Sequence, residues 1–275
     1  MISVQKLTFS ALALLFVLLA LLHPVPANAA SFEFSVTYKS SFDKMVAAAD
    51  KATSAKLASQ YAQLQTVQKQ DIEWDAKINH LHYRNEEAEL STRNRIKAID
   101  AAKLAQLVAD VTKTKKKYEP LFDLYDSLRQ QLSLAKSFKD KWLVSVLTPQ
   151  VEATKAAVTL AKLDIRNKEA ALKNAKTSAS QTIKKLKDML AAIETVEIKI
   201  KAAKSSVSST KKHFTTETAV LKLVVKKGDS NGALSSFTRL LSYMKQIHEQ
   251  KQKMFSYEEQ ISAIIAKVDS QMAAK

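Results

Sequence analysis

The chain contains no cysteine, so neither a disulfide nor a thiolate is available to it, and its stability has to come from helix packing or association. It has two glycines, Gly228 and Gly232, and four prolines, of which Pro24 and Pro26 fall in the first thirty residues. With only Pro120 and Pro149 beyond them, the sequence has almost no turn chemistry. That scarcity excludes a fold of many hairpins and leaves a few very long helices. There is no glycine-rich phosphate loop, no Gly-x-Ser-x-Gly elbow and no cysteine nucleophile, so no catalytic residue is nominated. A protein of long packed helices also has little reason to form the concave, water-excluding pocket that chemistry needs. The expectation is a protein that is not an enzyme and carries no cofactor.

Acidic residues are in short supply as well: 27 against 43 basic ones, a formal net charge of +16. The excess is uneven. Between Gln150 and Lys227 there are 17 Lys and Arg against 7 Asp and Glu, whereas Ser40 to Leu147 holds 18 against 14 and Gly232 to the end 6 against 4. One segment carries most of the field, and the partners it implies are polyanions. Lys113, Lys115, Lys116 and Lys117, then Lys184, Lys185 and Lys187, then Lys211 and Lys212 are the candidate polyanion-binding residues. Lysine with hardly any arginine suits loose electrostatic contact rather than bidentate phosphate readout. Aromatics are not interleaved with these lysines, which argues against a nucleic-acid partner.

What is present begins with a leader. Met1 to Lys6 supply a positive start, Ser10 to Leu22 run without a charge, and Ala27-Asn28-Ala29 offers small residues for cleavage after Ala29. The apolar run is about 13 residues where a membrane span needs about 20. Residues 1–29 are therefore read as a signal peptide, and the exported remainder, without a transmembrane segment, as secreted or associated with a cell wall. Export without disulfides fits a bacterial exterior. Residues 30–39 follow as an extended arm, because Phe32, Phe34, Val36 and Tyr38 alternate with a strand's period and are expected to lay aromatics on the body of the protein.

Residues 40–275 are read as one all-α, elongated, antiparallel coiled-coil bundle of three or four long helices. From Val151 in steps of seven the chain reads Val158, Ile165, Leu172, Ala179, Leu186, Ile193, Ile200, Val207, Phe214 and Leu221. At 46 % apolar composition such a run arises by chance about once in 5,000 for a given register. The companion series three residues on is mostly small or polar, including Thr210 and Glu217, and implies a loosened interface. Upstream, Leu104, Val111, Tyr118, Tyr125 and Leu132 form one series, and Leu107, Leu121, Leu128, Ala135 and Trp142 another. Both pass Pro120 without a phase change. They predict one helix from about Ser40 to Leu147, kinked at Pro120, with reversal at Thr148-Pro149, and Pro120 itself is the competing reversal point. A helix of about 79 residues, roughly 118 Å, would follow. It ends at the turn Lys226 to Gly232, after which Leu240, Ile247, Met254, Ile261 and Val268 mark a last helix. If that helix lies beside the end of its predecessor, Tyr61, Leu64 and Val67 lack a neighbour, and self-association is expected to supply it.

Other chemistry-bearing residues have plainer readings. His80, His82, Glu86, Glu87 and Glu89 are dense, but the two histidines leave different helix faces, so no metal site is assigned. Asp71, Glu73 and Asp75 are expected to meet lysines of a neighbouring helix. Trp74 and Trp142 are placed in the core, and His213 and His248, beside seam residues, are expected to be partly buried.

The stretch Val224-Val225-Lys226-Lys227-Gly228-Asp229-Ser230-Asn231-Gly232-Ala233-Leu234, set between long Lys- and Ala-rich helices behind a thirty-residue leader, resembles the helical cell-wall-polymer-binding domain of bacterial surface-layer proteins. The resemblance implies an exported, basic, all-α module that holds an anionic wall polymer. The competing expectations are a helical pore-forming toxin component and a cationic holdase chaperone.

Overall fold

A computed structural model describes residues 32–274, and the leader assigned from sequence lies outside them. The described residues form five helices and no strand: α1 (Val36–Ala48), α2 (Lys51–Lys97), α3 (Ala101–Ser137), α4 (Lys141–Lys227) and α5 (Ser230–Ala273). The all-α class holds. The single helix expected from Ser40 to Leu147 does not, because it is interrupted three times without glycine or proline. Ala49 is extended, and Asp50 then caps α2, its Oδ1 accepting the N–H groups of Ala52 and Thr53 at 3.0 and 3.1 Å. A hydrogen bond from the Thr53 side chain foremost, then these main-chain bonds, hold the Asp50 carboxyl below its usual pKa. Between α2 and α3, Asp100 takes a left-handed φ of 56°.

The reversal is at neither proline. Pro120 lies inside α3 and Pro149 inside α4, each at the cost of one main-chain hydrogen bond. The chain turns at Phe138-Lys139-Asp140 instead. Lys139 has φ 57°, the Asp140 N–H reaches back to the Ala135 carbonyl at 3.0 Å, and Asp140 Oδ1 accepts the Leu143 N–H at 3.0 Å. The turn into α5 uses the same chemistry with the expected residue: Gly228 has φ 72°, the Asp229 N–H reaches Val224, and Asp229 Oδ1 caps Gly232 at 2.9 Å.

The described chain divides into two compact units. The first joins the residues up to Tyr83 to Val196–Gln260. Its contacts fix the directions of its helices. Gln60 meets Thr238, Asp71 meets Lys251 and His82 meets Glu258, so α2 and α5 run parallel. Glu217 meets Arg239 and His213 meets Tyr243, so α4 runs against α5. Leu57, Leu64, Phe214, Leu221, Phe237, Leu240, Met244 and Ile247 fill the core between them. Phe32 is buried there, and Phe34 stacks on Phe42 and Tyr61 with centroids at 5.3 and 5.4 Å. Among the described residues only 32–35 of the expected arm lie outside a helix, and Val36 and Tyr38 belong to α1 rather than to a strand-like alternation. Leu64 is fully buried and Tyr61 and Val67 pack on the same core, so the reason for expecting self-association is absent: α4 and α5 both reach this stretch of α2.

The second unit joins Arg84–Thr195 to the chain from Ile261 onward. Asn85 with Ser262 and Thr92 with Asp269 again set α2 parallel to α5. Tyr118 with Asp164 and Lys115 with Glu169 set α3 antiparallel to α4. Near the reversal, Leu128 and Ala135 close on Leu147 and Val151. In the α4 series from Val151 to Leu221 every member is buried except Ile165 and Leu172, which are half-buried.

Candidate functional site

The nine lysines chosen from sequence fall into three situations. Lys113, Lys116, Lys184, Lys185, Lys187 and Lys212 are exposed. Lys115 is exposed but bridges α3 to α4 through Glu169 at 2.6 Å, and Lys117 lies 5.0 Å from the Tyr118 ring. Lys211 is not a surface residue of this kind. It is half-buried and turned toward a charged cluster inside the first unit, where burial first and the neighbouring Lys251 charge second lower its pKa, opposed by Asp71 and Asp75. That half-buried position sets it apart from the exposed lysines of the set.

Nor do the rest form one patch. Lys113–Lys117 face the part of α4 around Glu169, and Lys184 lies fifteen residues further on, roughly 22 Å along the helix. Lys184 and Lys185 flank an open, shallow depression with Gln181, Asp188 and Met189. What the hairpin of α3 and α4 presents is spread charge. From Ala101 to Thr195 there are 18 Lys and Arg against 10 Asp and Glu, and all 18 basic residues are exposed. Spacing of this kind suits a long flexible polyanion better than a small anion, for which no converging donors exist.

The interior holds a second set of polar groups. On α5 the seam Phe237, Met244, Lys251, Glu258, Ile265 repeats every seven residues, and on α2 so does Leu57, Leu64, Asp71, Ile78, Asn85, Thr92. All are buried, polar members included. Lys251, 1 % exposed, places Nζ 2.5 Å from Asp71 Oδ1 and 2.6 Å from Asp75 Oδ1, and donates to the Asp71 main-chain oxygen at 3.0 Å. Asp71 and Asp75 thus meet lysine as expected, whereas Glu73, on the other face, is exposed. Two turns on, His82 Nδ1 lies 2.9 Å from the buried Glu258 carboxylate. In the second unit the Ser262 hydroxyl meets Asn85 Oδ1 and the Thr92 hydroxyl donates to Asp269 at 2.8 Å. At the other end of the first unit, burial pushes the Glu217 carboxyl up, but hydrogen bonds from Arg239 and Ser236 and the Arg239 charge outweigh it and leave the pKa lowered. Arg239 is raised in return, chiefly by that hydrogen bond. The sequence signal for these layers was a charged or amide residue standing at a seam position.

Trp74 is half-buried, edge-on to Phe255 at 5.8 Å. Trp142 is 71 % exposed, contrary to its placement in the core: the turn at 138–140 ends the series that was carried through it. His248 is half-buried, while His213 is exposed and stacked on Tyr243. Among the described residues no group of three or more His, Asp or Glu is arranged to hold a metal ion, and no helix is long and apolar enough to cross a membrane. Comparison with protein-family models finds no match, and neither curated proteins nor solved structures give a significant one.

Proposed function

We propose that this chain is an exported, non-enzymatic coiled-coil protein that binds an anionic polymer of the cell envelope through the lysine-studded faces of α3 and α4. One observation carries the reading: 18 exposed basic residues against 10 acidic ones over a single helical hairpin, with no converging donors that would select a compact ligand. A polyanion laid along such a surface gains many weak contacts, each cheap to make because exposed lysine heads keep part of their hydration. The interior supports the same reading, since its buried charges are already matched to one another and leave the outer lysines as the groups with charge to offer.

Electrostatic contact of this type weakens steeply with salt, as the screening length falls from about 10 Å at 0.1 M to about 3 Å at 1 M. The test is sedimentation of the chain from residue 30 with isolated wall sacculi, before and after chemical removal of their anionic polymers. Binding is expected to be lost with the polymers, lost in 1 M salt, and weakened at least tenfold by Lys113→Glu, Lys116→Glu, Lys184→Glu and Lys185→Glu together. Binding that survives all three treatments overturns the proposal and makes the charge excess a solvated helix surface.

A further inference from the structure

The closed end of the α3–α4 hairpin is built unlike the rest of the surface. Phe138 is 80 % exposed and Trp142 is 71 % exposed, and apart from Val36 they are the most exposed large apolar side chains among the described residues. Leu134 and Val146, one helical turn back on either side, are exposed as well. At 1.5 Å per residue all four lie within roughly 10 Å of the turn. They are not fragments of an unfinished core. The inner faces of the same two helix ends are already packed, Leu128 and Ala135 against Leu147 and Val151, with Leu143 and Val144 alongside. The turn is held by three main-chain bonds and by the Asp140 cap, so the aromatics stand on a defined scaffold.

Lys136, Lys139 and Lys141 are exposed among them. The only carboxylate in the turn is Asp140, and its Oδ1 is engaged by the Leu143 N–H. Exposed apolar side chains with aromatic rings, interleaved with lysines at one end of the hairpin, match the cross-section of an anionic bilayer: rings at the headgroup level, ammonium groups on the phosphates. The ends are too short and too polar to span, and the described helices contain no membrane span, so the contact is interfacial. We infer that the tip formed by Leu134, Phe138, Trp142 and Val146 with Lys136, Lys139 and Lys141 docks on the surface of an anionic lipid bilayer. This site is separate from the polymer-binding faces, and it is distinguished from them by depending on aromatic insertion as well as charge.

The experiment uses the chain from residue 30, which keeps every described element and removes the apolar leader. Trp74→Phe leaves Trp142 as the one indole, since the chain has two tryptophans. Vesicles of phosphatidylcholine with an equal share of phosphatidylglycerol, containing no wall polymer, are expected to bind the protein and to shift Trp142 emission to the blue, while phosphatidylcholine alone does neither. Phe138→Ser and Trp142→Ser are each expected to weaken vesicle binding by about tenfold, the scale set by burying one large apolar side chain. Lys136→Glu with Lys139→Glu and Lys141→Glu is expected to abolish it. Sacculus binding is expected to be unchanged in the serine variants, so the tip and the polymer faces fail or stand independently. Trp142 emission unmoved by saturating vesicles, or vesicle binding undiminished in both serine variants, overturns the inference. So does light scattering that shows oligomers in the parent chain and monomers in the serine variants without lipid, which would assign the tip to a second copy of the chain.

Discussion

Replacing Lys251 by methionine removes a cation that lies within 3 Å of both Asp71 and Asp75 while keeping most of the side chain's volume. At 2.5–2.6 Å and an effective dielectric of 20, each attraction is worth roughly 6 kcal/mol before the desolvation of the charges is set against it. That desolvation offsets most of the gain, and what is lost when one partner of a buried pair is deleted is about 3–5 kcal/mol. Asp71 sets where in this range the result falls: it is 1 % exposed, so it cannot recover water when Lys251 goes. Lys211 remains near, and its own lowered pKa shows that burial already disfavours its charge there. The assay is guanidinium unfolding followed by helical circular dichroism, with hydrogen exchange in α2 and α5 to assign the loss to the first unit. Lys251→Met is expected to cost about 3–5 kcal/mol, and adding Asp71→Leu is expected to return most of it, because the orphaned carboxylate is then gone. A cost below about 1 kcal/mol for the single variant, or a double variant as damaged as the sum of its parts, refutes the argument that these charges are buried and coupled.

Two further outcomes are expected. Because the Glu217 pKa is depressed below its usual 4.5, its contribution is present above that value and is lost as pH falls through the folded one; Glu217→Gln should therefore lower stability near pH 7 and converge with the parent once the pH has fallen below the folded pKa, in acid titration of the melting point. Gly228→Ala should cost about 1 kcal/mol of unfolding free energy by the same denaturant assay, although an added Cβ meets nothing within 4 Å, because φ 72° is strained for any residue with a side chain; Gly228→Asn should cost less.

The parts of the fold that were legible in the sequence are those where a residue type has one dominant use. Gly228 with Asp229 could only end one helix and begin another, and Leu240, Ile247, Met254, Ile261 and Val268 could only be a buried seam. The helix breaks at 49–50, 98–100 and 138–140 were illegible because the residues that take extended or left-handed backbone there, Ala49, Asp100 and Lys139, are ones whose presence in a helix is ordinary. Trp142 was misplaced for the same reason, since a seven-residue count carries no warning when it crosses a turn. Lys211 and Lys251 show the limit for charge: composition reports how many lysines there are, and only their helix position tells which of them face inward.

The parallel run of α2 beside α5 has a consequence for how this gene can change. In an apolar seam, deleting seven residues restores every contact type, and the chain drifts in length at little cost. Here such a deletion between Gly232 and Lys251 would bring Glu258 to the station now held by Lys251, setting a third carboxylate against Asp71 and Asp75. An insertion of seven would instead lower Met244 onto them and take the Lys251 ammonium away from both. The matched layers at 71 with 251, 82 with 258, 85 with 262 and 92 with 269 therefore act as a key with unequal teeth, and length variation in α5 should survive only where α2 carries a compensating change of the same size.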